Sequence, residues 1–362
     1  MTPTLPSPRT VLTTAVMLVI GALGGALAMW LSLPMPWMLG ALTTTGIVAR
    51  FGPQKPFEGY GFPMGFRTLF VSLIGVMIGT QVTPDLIALA PDLTLTLGAL
   101  FLFVPLAHMG NMLIFRQIGG YDRPTAFFSG TPGGLMESIF MGEAAGADIR
   151  VLTIQQFLRI ILVITVLPLG LTVWTGHAVG SAAGLSGSGP QGHVSLATLA
   201  VIVVTGLAGL QLGRLIRLPA AQLTGPLLLA AAATVTGIFD LHLPYWLIAL
   251  SQLVIGTSLG LRFQGIDGKL LRRSLWLSGL SVGYMMAVGA GFAALLHAAT
   301  GLPWLHIFIA FAPGGVAEMS LVALSLAANP ALVSLHHVTR ILITVVEMPL
   351  AARLMKLRPE DR

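Results

Sequence analysis

The sequence predicts an all-α polytopic membrane protein: two inverted repeats, each of about five transmembrane helices plus one re-entrant Pro-Gly-Gly hairpin. Three observations predict it. First, 9% of the 362 residues are charged and 55% hydrophobic, with a mean hydropathy of +0.88. Soluble domains carry about 25% charged residues, so this chain cannot cover a water-facing surface and lipid must be its main solvent. Second, the apolar runs Val11–Leu33, Leu93–Phe115, Val194–Leu212 and Leu275–Leu296 each supply the ~20 residues that take a helix across ~30 Å of hydrocarbon. A β-barrel would need short alternating segments instead. Third, one segment occurs twice.

The duplication is read directly from the residues. Pro132-Gly133-Gly134 recurs 181 positions on as Pro313-Gly314-Gly315, Glu137 as Glu318, Arg159-Ile160 as Arg340-Ile341, and Pro168-Leu169 as Pro349-Leu350. Ile74-Gly75 and Gly79 map onto Ile255-Gly256 and Gly260 at the same offset, while Leu33-Pro34 and Gly40 map onto Leu218-Pro219 and Gly225 with a slip of four. Residues 1–175 are therefore one membrane repeat and 195–362 the other. Between them, 176–194 is rich in Gly and Ser and has no Lys, Arg, Asp or Glu, the composition of a flexible linker.

In chain order, the first repeat should cross the membrane at about 11–33, 35–49, 68–80, 93–115 and 151–174, with a hairpin at about 124–147. The first run could be mistaken for a signal peptide; it exceeds a normal signal core and matches a later segment, so it is assigned as a helix. The second repeat should cross at about 195–213, 222–239, 244–261, 274–297 and 334–355, with a hairpin at about 304–329. The 19 Lys and Arg set the orientation. Arg159 and Arg340 lie within apolar segments; the others cluster at Arg9; at Arg50, Lys55 and Arg67; at Arg116, Arg123 and Arg150; at Arg214 and Arg217; from Arg262 to Arg273; and from Arg353 to Arg362. The intervening loops have none and hold Asp85, Asp92 and Asp240. With every basic cluster inside, Tyr121–Trp174 and Pro303–Met355 must each cross an odd number of times although each holds two apolar blocks. One full helix plus one re-entrant hairpin satisfies that. Five crossings per repeat make the copies inverted, with both termini cytoplasmic, and the expected location is an inner (cytoplasmic) membrane. The net charge of +6 and pI near 10.3 then follow from topology, and no nucleic-acid partner is expected.

Proline removes a donor and glycine opens unusual backbone angles, so Pro132-Gly133-Gly134 and Pro313-Gly314-Gly315 should break their helices and bare backbone groups at membrane depth. A helix starting after the glycines would point its positive end at that gap, which suits an anion. The plain alternative is a kink for close packing. Glu137 and Glu318 follow three residues later; an ionisable group inside a membrane is a functional candidate. Each is either a proton or cation site or a buried partner for Arg159 or Arg340. These arginines, as bidentate anion binders, are the other half of the candidate site. Gln155, Gln156, Val166 and Glu143 become His336, His337, Glu347 and Leu324 in the second copy, so the two sites should differ. His336 and His337 are expected at a solvated outer helix end. His108 and Asn111 either line a pathway or bond a neighbouring helix. Gly75/Gly79 and Gly256/Gly260 read as packing pairs.

With no cysteine, a disulfide, thiolate metal site or cysteine nucleophile is excluded. No Walker loop or zincin motif occurs. No catalytic residue, metal site or cofactor is assigned. The expected partners are the lipid bilayer and a small molecule or ion; self-association, if it occurs, is expected as a homodimer.

The segments GTPGGLMESIFMGEAAGADIRVLTIQQFLRIILVITVLPL and FAPGGVAEMSLVALSLAANPALVSLHHVTRILITVVEMPL, with the LP…G and IG…G segments, resemble the AbrB family of bacterial membrane proteins across nearly the whole chain. That resemblance implies a duplicated membrane module. The family's labels imply a regulator or an ammonia monooxygenase. Residues 132–137, Arg159, 313–318 and Arg340 match its recurring segments. The sequence favours a secondary transporter, coupled to H+ or Na+, of a small solute, with anions among the candidates. A membrane-embedded regulator acting through partners is the second reading. A monooxygenase comes last, since no clustered His and carboxylate ligands support it.

Overall fold

A computed structural model describes residues 7–53, 55–82, 90–175, 196–238, 244–326 and 328–357. Residues 176–194, expected as a linker, and Asp85 and Asp240 lie outside these. Among the described residues the regular structure is entirely helical. The first repeat gives α1 (Pro8–Trp30), α2 (Pro36–Phe51), α3 (Met64–Gly79), α4 (Ala90–Leu113), α5 (Arg123–Ser129), α6 (Leu135–Ala144) and α7 (Ile149–Thr175). The second gives α8 (Leu196–Leu215), α9 (Ala221–Val235), α10 (Tyr245–Gly260), α11 (Gly268–Thr300), α12 (Trp304–Phe311), α13 (Val316–Ser325) and α14 (Pro330–Leu354). Among the described residues seven helical spans are long and apolar enough to cross a membrane: 8–30, 92–118, 149–173, 198–215, 246–263, 268–300 and 330–354. The chain is thus an all-α multi-pass membrane protein.

Each of the ten expected crossings falls on a helix, but α2, α3 and α9, with 16, 16 and 15 residues, are not among the seven long enough to span; elsewhere local chemistry adjusts the ends. The span expected at 274–297 runs from Gly268 to Thr300, because Asp267 accepts from the amides of Lys269 and Leu270 and Gly301, at φ 75°, closes the last turn. α14 starts at Pro330 rather than 334, because Asn329 accepts from the amides of Ala331 and Leu332 and proline suits a first helical turn. Backbone strain repeats as well. Ser32 and Met35 have φ of 54° and 46°, and their counterparts 185 positions on, Arg217 and Ala220, have 56° and 48°.

The chain gathers into two compact units. One holds α1–α3, α8–α10 and α7 from Leu167 on. The other holds α4–α6, α7 up to Val166, α11, α12, α13 to Ala323, and α14. Each unit draws equivalent helices from both repeats. In the first, glycines decide the packing. A Cβ at Gly75 would run into the Leu223 carbonyl and one at Gly79 into that of Leu227. Gly256 and Gly260 meet the carbonyls of Met38 and Leu42 in the same way. So α3 lies on α9 and α10 on α2, each third helix against the other repeat's second, at a separation only glycine permits.

In the second unit both Pro-Gly-Gly segments break their helices as expected. The pieces α5, α6, α12 and α13 have 7 to 10 residues, which at 1.5 Å per residue spans at most about 15 Å. None can cross alone. In the first repeat the chain turns back on itself: the Asp148 amide, just before α7, donates to Thr125 Oγ1 at the start of α5 (2.8 Å).

Candidate functional site

The first break begins where α5, started by Asp122 accepting from the Thr125 amide, runs out at Ser129. Pro132 cannot donate, and Gly134 sits in the left-handed region (φ 63°, ψ 53°), where a Cβ would be strained. α6 then starts at Leu135 with Glu137 in its first turn. A helix end leaves its last carbonyls without intrahelical donors. Here side chains from other helices supply them. His108 bonds to the Phe127 carbonyl (2.9 Å), Gln156 Nε2 donates to those of Phe128 (2.9 Å) and Ser129 (3.3 Å), and Asn111 Nδ2 donates to that of Gly130 (3.1 Å). Arg159 Nη1 donates to the Thr131 carbonyl.

The second break repeats one of these bonds at the same offset. Arg340 Nη1 donates to the Ala312 carbonyl (2.5 Å), and its Nη2 also reaches that of Gly314 (2.7 Å). A cation at a helix C-terminus also complements its dipole. The mirror of Asn111 is Phe292, which with Phe103 packs on Phe311 at the end of α12 (centroids 5.6 and 5.1 Å). One break is held by polar caps, the other by an aromatic clamp and one arginine.

The breaks also touch the opposite repeat. Gly133 faces Ile341 and Thr344 of α14, and Gly314 faces Val163 of α7, the position equivalent to Thr344. Arg159 lies within electrostatic range of Arg340. The structure therefore brings Pro132–Gly134, Arg159, Pro313–Gly315 and Arg340 together around two opposed helix ends. The glutamates part company: Glu137 is exposed, while Glu318 is 5% exposed with its carboxylate folded over Gly315. Among the described residues the buried side chains of fixed charge are Arg159, Arg340 and Glu318, two positive and one negative. Nε of each arginine is buried with no acceptor among the described residues.

Two expectations about histidine need revising. His336 and His337 are 1% and 0% exposed, not solvated at a helix end, because α14 begins in a buried turn. Their Nδ1 atoms bond to the carbonyls of Leu332 and Val333, and His336 Nε2 also bonds to Thr96 (2.9 Å). Of the two readings left open for His108 and Asn111, bonding between helices is the one observed: Asn111 also accepts from Ser281 (2.8 Å), and His108 meets Glu347. That last contact joins two residues that the sequence marked separately, one as polar, the other as an asymmetry. Gly256-x-Ser258-x-Gly260 has the spacing of a nucleophile elbow but lies inside α10, where Ser258 Oγ donates to the Ile255 carbonyl (2.8 Å). Among the described residues no group of three or more His, Asp or Glu could hold a metal.

Fold and breaks define a polytopic helical membrane protein with a duplicated broken-helix module. Residues 37–356 match the family model described as "Transition state regulatory protein AbrB", and the chain belongs to the AbrB family. It is 24% identical to "Uncharacterized protein YhjN" of Bacillus subtilis strain 168, over 93% of this chain and 91% of that protein. It is 26% identical to "Putative regulator AbrB" of Escherichia coli K12, over 78% of this chain and 80% of that one.

Proposed function

We propose that the chain is a secondary transporter of a small anionic solute in the bacterial inner membrane, coupled to H+ or Na+. The observation that carries this reading is the pair of buried arginines at two opposed helix breaks, each with an Nε–H that no acceptor among the described residues takes up. A buried charge-assisted donor without a partner is costly, and a carboxylate or similar anion would satisfy both. The starts of α6 and α13, aimed from the same breaks, add two positive helix ends. Duplicated modules with broken helices at the binding site are a recurring plan among secondary transporters.

The test is uptake into proteoliposomes of radiolabelled lactate, succinate, citrate and glutamate under an imposed pH or Na+ gradient. At least one anion should accumulate, and Arg340→Gln should cut its uptake roughly ten- to a hundredfold, the effect of losing one charge-assisted contact. Silence across the panel from monodisperse wild-type protein overturns the transporter reading and leaves the regulator reading carried by the relatives' names.

A further inference from the structure

The second unit contains a polar pair that the anion site does not use. His108 on α4 is 2% exposed, and Glu347 on α14 is 18% exposed. Nδ1 of the ring lies 3.0 and 2.9 Å from the two carboxylate oxygens of Glu347, and Nε2 lies 2.9 Å from the Phe127 carbonyl on α5. His108 and Glu347 both border a cavity of about 590 Å³ lined otherwise by apolar side chains, among them Phe101, Pro105, Met109, Ile343 and Leu350.

The donor and acceptor inventory restricts the protonation of this triad. A backbone carbonyl only accepts, and so does an ionised carboxylate. Both ring bonds therefore form together only when the pair holds one proton more than a neutral imidazole beside a carboxylate. The near-equal distances to the two oxygens suit an N–H shared between them, hence an imidazolium. A proton moved onto Glu347 would leave the count unchanged. Removing that proton sets a carboxylate against a ring lone pair, or turns the tautomer and leaves the Phe127 carbonyl with the Gly130 amide (3.0 Å) but without its bond to α4. Either change breaks a bond across α4, α5 and α14. In apolar surroundings a net-neutral pair is also far cheaper than a bare carboxylate.

Packed against these helices, α6 carries Glu137 and Glu143, and α11 carries Lys269, Arg272, Arg273, Tyr284 and His297; on the elements that frame the ring the other charged or titratable side chains are Asp92 on α4, Arg116 in the turn that follows it, Arg123 on α5, and His336, His337, Arg340 and Arg353 on α14. None lies closer along its helix than Arg123, one turn from Phe127 and exposed. The pair is also unique to one repeat: 181 positions away, His108 corresponds to Gly289 and Glu347 to Val166.

We propose that His108 and Glu347 form the proton-binding site of this protein, holding one exchangeable proton per chain, and that its occupancy fixes the C-terminal end of α5 and so the first helix break. Its role as the coupling site rests on the transporter reading; its proton occupancy does not. Glu137 and Glu318 are then relieved of the coupling role.

The test is solid-state NMR of full-length protein in nanodiscs, with 15N-labelled histidine and 13C-labelled glutamate carboxyls, from about pH 5 to pH 9, the range in which histidine switches are tuned. His108→Gln and Glu347→Gln assign the signals, and unchanged signals from the other histidines report folding. The wild-type pair should hold one shared proton at the acid end and lose it in a single step. That step should coincide with loss of amide protection at Phe128–Thr131. In Glu347→Gln the His108 ring should be neutral throughout, with no step at α5. A neutral ring facing an ionised Glu347 at every pH overturns the proposal. So does a pair that keeps its proton to pH 9, which would be a fixed structural link. Because this readout needs no solute, a silent uptake panel beside a titrating pair would overturn transport and leave the proton site standing.

Discussion

A guanidinium has five N–H donors and stays charged in a protein, so its burial means little until those donors are traced. In this chain Arg159 and Arg340 spend Nη donors on the carbonyls that a Pro-Gly-Gly break strands and keep Nε–H over. Their loads differ. Around the first break Gln156 and Asn111 share the capping, whereas Arg340 alone reaches both Ala312 and Gly314. Arg340→Ala should therefore destabilise the protein more than Arg159→Ala, by roughly 1–3 kcal/mol for the second charge-assisted bond it makes, measured as the difference in thermal unfolding in one detergent. Equal losses would show that the second break is capped by something else. The repeat offset made both arginines legible in the sequence, because it shows which positions recur. It says nothing of where a side chain points, so the carbonyl partners, the burial of His336 and the meeting of His108 with Glu347 came only from the fold.

Elements were more legible than contacts. Hydropathy and the doubled Pro-Gly-Gly located every long helix and both breaks, because a membrane leaves few ways to bury a backbone. What moved were helix ends, set by single capping side chains such as Asp267 and Asn329. The small-xxx-small spacing of Gly75/Gly79 and Gly256/Gly260 pointed to close packing but not to a partner. The partner turned out to be the second helix of the opposite repeat in both cases. The two contacts are equivalent, so Gly75→Val and Gly256→Val should each cost about 1–3 kcal/mol by overpacking and by similar amounts. Thermal unfolding of the two variants side by side checks this; a large loss in one and none in the other would show that the pseudo-symmetry does not extend to the energetics.

At the scale of the whole molecule, the natural absence of cysteine makes topology simple to test, since any thiol introduced is the only one. Cysteines in place of Ser32, Asp85, Ser186 and Asp240 should each react with an impermeant maleimide in intact cells if the basic clusters face the cytoplasm. Ser32 is exposed in the turn after α1; the other three positions lie outside the described residues. Reaction only after lysis would reverse the orientation. The order of helices along the chain was plain from the sequence, whereas their regrouping into two units, each taking equivalent helices from both copies, was not. Duplication is written in the linear order, but packing is chosen by which surfaces fit.

The exchange of partners between copies has a consequence for how the protein is made. The glycine face of α3 docks on α9, whose Leu223 is synthesised roughly 150 residues after Gly75, or about 10–30 s later at ordinary translation rates. For that interval the first half waits in the bilayer with a bared, backbone-lined groove, a surface well suited to a holding factor at the site of insertion.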